Sequence, residues 1–282
     1  MHAALIGTAG APYYTSSSAA ECDSILEMPD GRDYRQNGWL TVTINYNLNF
    51  VDRHNLVPGL TVVEGGKLYA KPSDPHSPKV PLRDWDWQSR GDFVRRFADG
   101  EKFWNYKFLL ITPRNYDAFD FTNLGGTGFR CRPNVICLFR LKSGGSPNHL
   151  RINAVRKEND TDFFRSDKTT YDNTDVGNKT LWHELGHALD QLHIQALVGN
   201  PTCMIDVHVN DDPCYVTPAG MAPNIMGKGT GLIPQNGKAW RELIAKLTKT
   251  ADPSWEVSLA VNTPPRTVPI GLFGTDMMPG AW

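Results

Sequence analysis

The sequence carries almost no net charge: Lys+Arg 29 against Asp+Glu 30 leave -1 over 282 residues. It therefore lacks the positive excess that would neutralise a run of phosphates or anionic headgroups, and nucleic acid is set aside as a partner. Long apolar runs are also missing and mean hydropathy is -0.40, so no membrane association is expected. Cysteine is sparse. The five residues Cys22, Cys131, Cys137, Cys203 and Cys214 include no CxxC pair, which removes the usual support for a thiolate metal site. The opening "MHAALIGTAGA" lacks a basic n-region, and the chain shows no internal repeat or long low-complexity block.

What is present suits a soluble globular protein: 40% hydrophobic and 10% aromatic residues are enough for a substantial core. Cys131 with Cys137, and Cys203 with Cys214, each bracket a short Pro-containing loop, so two disulfides are expected and Cys22 is left odd. That pattern fits an oxidising, secreted setting. Residues 1–36, rich in Ala, Ser, Thr and Gly, read as an N-terminal arm or pro-segment ahead of a single domain over 37–282. Its upper lobe is placed at about 37–190 and its lower lobe at about 191–282.

Periodicity supplies the elements. "WLTVTINYNLNF" (39–50) alternates Val42, Ile44, Tyr46, Leu48 and Phe50 with Thr and Asn, as a half-buried strand does. A Pro- and Gly-rich connection leads to a helix around Phe93, Val94, Phe97 and Ala98. Strands are expected at 106–113, in "NVICLFRLK" and in "LRINAVR", the last two joined across "SGGSPN" as a hairpin. Residues 194–235 read as loop, and 236–250 as an amphipathic helix with Trp240, Leu243, Ile244 and Leu247. Together these predict an α+β fold.

The chemistry concentrates in "TLWHELGHALDQLHIQ" (180–195). On a helix, His183 and His187 lie one turn apart on one face and can aim two imidazoles at one metal ion. Glu184 sits about 100° round, placed to reach a metal-bound water without being a ligand. Leu181, Leu185, Ala188 and Leu192 offer an apolar side to a core. With eight histidines and eight glutamates in the chain, chance supplies about 0.006 copies of HExxH, so the motif carries information.

His183, Glu184, His187 and His193 match the spacing HExxHxxGxxH, and the segment resembles the metzincin family of zinc endopeptidases. The resemblance implies a metzincin-like two-lobed fold with Zn2+ as cofactor. The metal would be held by His183, His187 and His193, with Glu184 as the catalytic base. Asp190 stands where the family has glycine. It is expected in the turn that ends the helix, or beside the ligands, since Asp tolerates φ > 0 at modest cost. A family methionine under the metal is matched by Met226 in "APNIMGKG"; Met204 and Met221 are weaker matches. The position of a metal-reaching tyrosine in some branches is Lys228 here, so no such ligand is expected. In some metzincins a pro-segment thiolate blocks the metal, a role open to Cys22. In glutamate zincins the third ligand comes from a later helix, where Glu242 stands.

The resulting expectation is hydrolysis of a peptide or protein substrate by Glu184-assisted attack of water. Two alternatives are a zinc amidase acting on a small or modified peptide, and a non-catalytic zinc-stabilised binding module displaying Trp85 and Trp87.

Overall fold

The computed structural model describes residues 13–16, 21–27, 38–71, 78–113, 134–204 and 212–260. In chain order the elements are β1 (Tyr13–Ser16), β2 (Glu21–Glu27), β3 (Gly38–Phe50), β4 (Thr61–Glu64), β5 (Lys67–Ala70), β6 (Val80–Leu82), α1 (Trp87–Ala98), α2 (Glu101–Trp104), β7 (Phe108–Ile111), β8 (Val135–Ser143), β9 (Leu150–Val155), β10 (Thr170–Asp172), α3 (Lys179–Ala188), α4 (Ile194–Leu197), α5 (Pro201–Met204), α6 (Asp212–Tyr215), α7 (Lys238–Thr248) and β11 (Glu256–Leu259). The fold is mixed α+β. No helix among the described residues is long and apolar enough to cross a membrane. Two compact units divide the chain, one of residues 1–43, 104–140 and 189–282, the other of 44–103 and 141–188.

In the first unit the strands run in the order β1, β2, β3, β8, β7, β11. β2 is antiparallel to β3 and buries Cys22, Ser24 and Leu26, so part of the stretch read as an arm is a sheet strand. Helix α7 lays Trp240, Leu243 and Ile244 into the core. The Trp240 indole packs against Phe108 and donates its Nε1–H to Leu138 O at 2.9 Å, which satisfies its one polar group in a dry site.

In the second unit β9 pairs parallel with β3, and β10 parallel with β9. The expected hairpin between β8 and β9 is absent, because both flank β3: Tyr46 O accepts from Gly144 N–H, whereas Asn45 O accepts from His149 N–H on the opposite edge. The connection crosses β3 in mid-strand, at Asn45 and Tyr46, instead of folding back. The Pro- and Gly-rich connection is also more ordered than composition suggested, since β4, β5 and β6 form an antiparallel sheet of their own. The β4–β5 turn uses Gly65 and Gly66 at φ 55° and 78°, the left-handed pair a two-residue hairpin needs. Helix α1 is capped by Asp86, whose carboxylate accepts from Ser89 N–H at 2.7 Å. Phe93 and Phe97 are its buried face, while Val94 and Ala98 are exposed. Trp85 (7% exposed) is edge-on to Phe50 and Phe93, so of the two tryptophans proposed for display, Trp87 (86% exposed) alone faces solvent.

One expected disulfide is present, Cys203–Cys214. The other is not. Cys137 is a free thiol buried in β8, and Cys131 lies outside the described residues.

Candidate metal centre

The approach to α3 is fixed before the helix begins. Lys157 and Asp172 form a buried ion pair at 3.1 Å. The Lys157 ammonium also donates to Asp162 O and Thr174 Oγ1, so all three of its protons have acceptors. Asp172 Oδ1 accepts from the Thr174 and Asp175 backbone N–H groups, and Asn178 then caps the helix by accepting from Thr180 N–H at 2.8 Å. Leu181 and Leu185 press against Gly100, where a Cβ would come within 2.8 Å of each. Trp182 stacks on Phe103 at 4.6 Å. The apolar side is thereby seated, and its register directs His183 and His187 the other way.

His183 Nε2 and His187 Nε2 stand 3.1 Å apart. Two nitrogens on a tetrahedral zinc at about 2.05 Å would be about 3.3 Å apart, so the spacing fits a shared ion. A hydrogen bond between complementary imidazole tautomers gives a similar distance, and the third histidine decides between them. After α3 ends at Ala188, Asp190 adopts φ 59°, the left-handed conformation that reverses the chain. His193 follows directly before α4, and one ligand nitrogen from each of His183, His187 and His193 lies within 4.8 Å of the others. Among the described residues no fourth His, Cys, Asp or Glu joins this group.

The other sequence candidates are placed as follows. Met226 is fully buried, and its carbonyl accepts from Ile194 N–H, the residue after His193, at 2.8 Å. Asn224 builds that turn, with Oδ1 accepting from Met226 N–H and its own carbonyl from Gly227 N–H. The Asp190 carboxylate is 3.7 Å from Lys238 Nζ, which also pairs with Glu242 at 3.5 Å. Glu242 is not in the metal-binding group, and neither is Cys22, which is buried in β2.

Glu184 is half-buried. Burial first, then the carboxylates of Asp167 and Asp175, push it up to about 8, with Arg165 pulling the other way. A bound dication would favour the carboxylate form again. Tyr171, wholly buried, has its phenol raised by burial and by Glu184, and its hydroxyl has no hydrogen-bond partner among the described residues. Sequence spacing pointed to none of these neighbours, since they come from the short strand β10 and the residues flanking it, which carry no motif of their own. Tyr215 was missed as well: its ring lies 3.9 Å from that of His193, with planes inclined 36°.

Compared with known proteins, the chain matches no family model, no curated protein and no solved structure.

Proposed function

We propose that the chain is a zinc-dependent endopeptidase with a metzincin-like site, in which His183, His187 and His193 hold the metal and Glu184 moves the proton. The observation that carries this reading is a group of three imidazoles with a carboxyl group on the residue beside the first. Zinc at such a site supplies a Lewis acid that polarises the scissile carbonyl and lowers the pKa of water. His183 and His187 are held by the seated face of α3. His193 is held by the Asp190 turn and the Ile194–Met226 hydrogen bond. The Glu184 carboxylate takes a proton from the attacking water as the water oxygen bonds to the carbonyl carbon. It returns that proton to the amide nitrogen as the C–N bond breaks, so one water is consumed and Glu184 is regenerated. The Glu184 carboxyl, on the residue beside the first histidine and only partly buried, suits a group that must both accept and give a proton. The Cys203–Cys214 disulfide supports an oxidising location.

The deciding experiment is Glu184→Gln assayed on an unfolded protein substrate, with bound zinc measured in parallel. The expected result is a loss of about 100- to 10,000-fold in kcat with zinc still near one equivalent. A Gln variant that hydrolyses at the wild-type rate overturns the mechanism. An inactive wild type that holds zinc would instead support the non-catalytic reading.

A further inference from the structure

The third histidine is the ligand with the least secondary structure behind it. His183 and His187 share one helix, whereas His193 lies in a short link between Asp190 and the four-residue helix α4.

We propose that Tyr215 is the positioning residue for His193, and that the Cys203–Cys214 disulfide holds Tyr215 in place. The inference rests on the zinc reading above. Four observations converge on it. The Tyr215 ring packs on the His193 imidazole at 3.9 Å between centroids, close enough to restrict rotation of the imidazole about its side-chain bonds. Tyr215 directly follows Cys214, and the two cysteines form a buried cluster with Ala196 against which Leu192 packs, so the tether touches the chain on both sides of His193. A Cβ at Gly227 would come within 2.4 Å of Tyr215 O and 2.9 Å of Ile194 Cγ2, so the turn after Met226 is seated against the tyrosine backbone. Finally, Gln195 Nε2 donates to Val216 O, joining the residues after His193 and after Tyr215.

Physically, this replaces helix support with a covalent staple and a ring contact. A metal ligand already in its bound rotamer loses less freedom on binding, so affinity rises without any new bond to the metal. Residues that orient ligands typically alter metal affinity by about 10- to 100-fold when removed. The role is assigned to the ring contact itself.

The test is zinc affinity, measured by competition with a chromophoric chelator, for the full chain and for Tyr215→Phe, Tyr215→Ala and the double variant Cys203→Ser/Cys214→Ser. The visible spectrum of each cobalt-substituted protein is recorded beside it, and circular dichroism checks the fold. Tyr215→Phe should bind zinc like wild type. Tyr215→Ala should bind about 10- to 100-fold more weakly, with a changed cobalt spectrum. The double cysteine variant should move in the same direction. If Tyr215→Ala fails to fold, Tyr215→Leu, which keeps bulk but not a flat ring, replaces it with the same expectation. Wild-type affinity and an unchanged cobalt spectrum in the ring-deleted variant overturn the proposal while leaving the zinc reading standing. Unchanged affinity in the cysteine variant overturns the tether. A wild-type chain that binds no zinc removes the zinc reading and this inference with it.

Discussion

Asp190 shows how one residue can keep a turn that its type makes costly. Its φ of 59° is a conformation that glycine adopts freely and that Asp and Asn tolerate better than other residues. The Lys238 ammonium 3.7 Å away adds a half-exposed ion pair, a contribution of at most about 1 kcal/mol. Asp190→Gly should therefore leave stability within about 1 kcal/mol of wild type and leave metal affinity intact, since strain is relieved as the ion pair is lost. Asp190→Val places a β-branched side chain in the left-handed region, and should cost about 1–3 kcal/mol and weaken metal binding. Chemical denaturation and metal titration of the two variants check this. Equal behaviour of Gly and Val would mean that the backbone there is free to change conformation and does not set His193. Such residue-scale features were legible in the sequence: HExxH and the third histidine followed from spacing, and the tolerance of Asp for positive φ followed from its chemistry. Tyr215 was not, because it lies 22 positions beyond His193 and reaches it through a disulfide and a short helix that carry no periodic signal.

At the scale of elements, a strong period was readable and a choice of pairing partner was not. β3 and α7 announce themselves through alternation and through a helical apolar stripe, and both stand where those patterns put them. The β4–β5 hairpin also carried a signal in its Gly65–Gly66 dipeptide, which the density of Pro and Gly around it obscured. "SGGSPN" posed a different problem: glycines permit a turn but do not say whether the next strand lies beside the last one. The answer comes from Asn45. A Cβ on Gly145 would sit 2.3 Å from the Asn45 side chain, and Asn45 Nδ2 donates to Pro147 O at 3.0 Å, so the chain is drawn tightly across β3 at this point. Glycine at 145 is required by that close approach, since its φ is not in the left-handed region. Gly145→Ala should destabilise the protein by about 1–3 kcal/mol through overpacking against a buried side chain. Gly144→Ala, at φ 69° with open space around its Cβ position, should cost about 1 kcal/mol from backbone strain alone. Urea midpoints for the two variants test this ranking, and the reverse order would mean that the crossover has room to relax.

At the scale of the whole molecule, three stretches of the chain make up one compact unit and two make up the other. Hydrophobic periodicity is blind to this, because it reports which face of a segment is buried and not which distant segment covers it. The consequence is a dependence between remote parts of the chain. Helix α7 and β11 lie at the end of the described residues, but their partners are far upstream: Trp240 rests on Phe108 and Phe139 and bonds Leu138 O, and β11 is hydrogen-bonded to β7. Deprived of 104–140, residues 189–282 would expose Trp240, Leu243 and Ile244, each worth about 1.5–3 kcal/mol of burial, with little core left to replace them. A fragment of 189–282 expressed alone should therefore show no near-ultraviolet circular dichroism from Trp240 and Trp255, although the full chain buries both. Adding separately made 1–188 should restore the signal, because it supplies β7 and β8. A fragment that folds by itself, with a dispersed amide spectrum, would mean that α7 finds enough apolar cover among α4–α6, and that its packing on β7 and β8 is not what holds it.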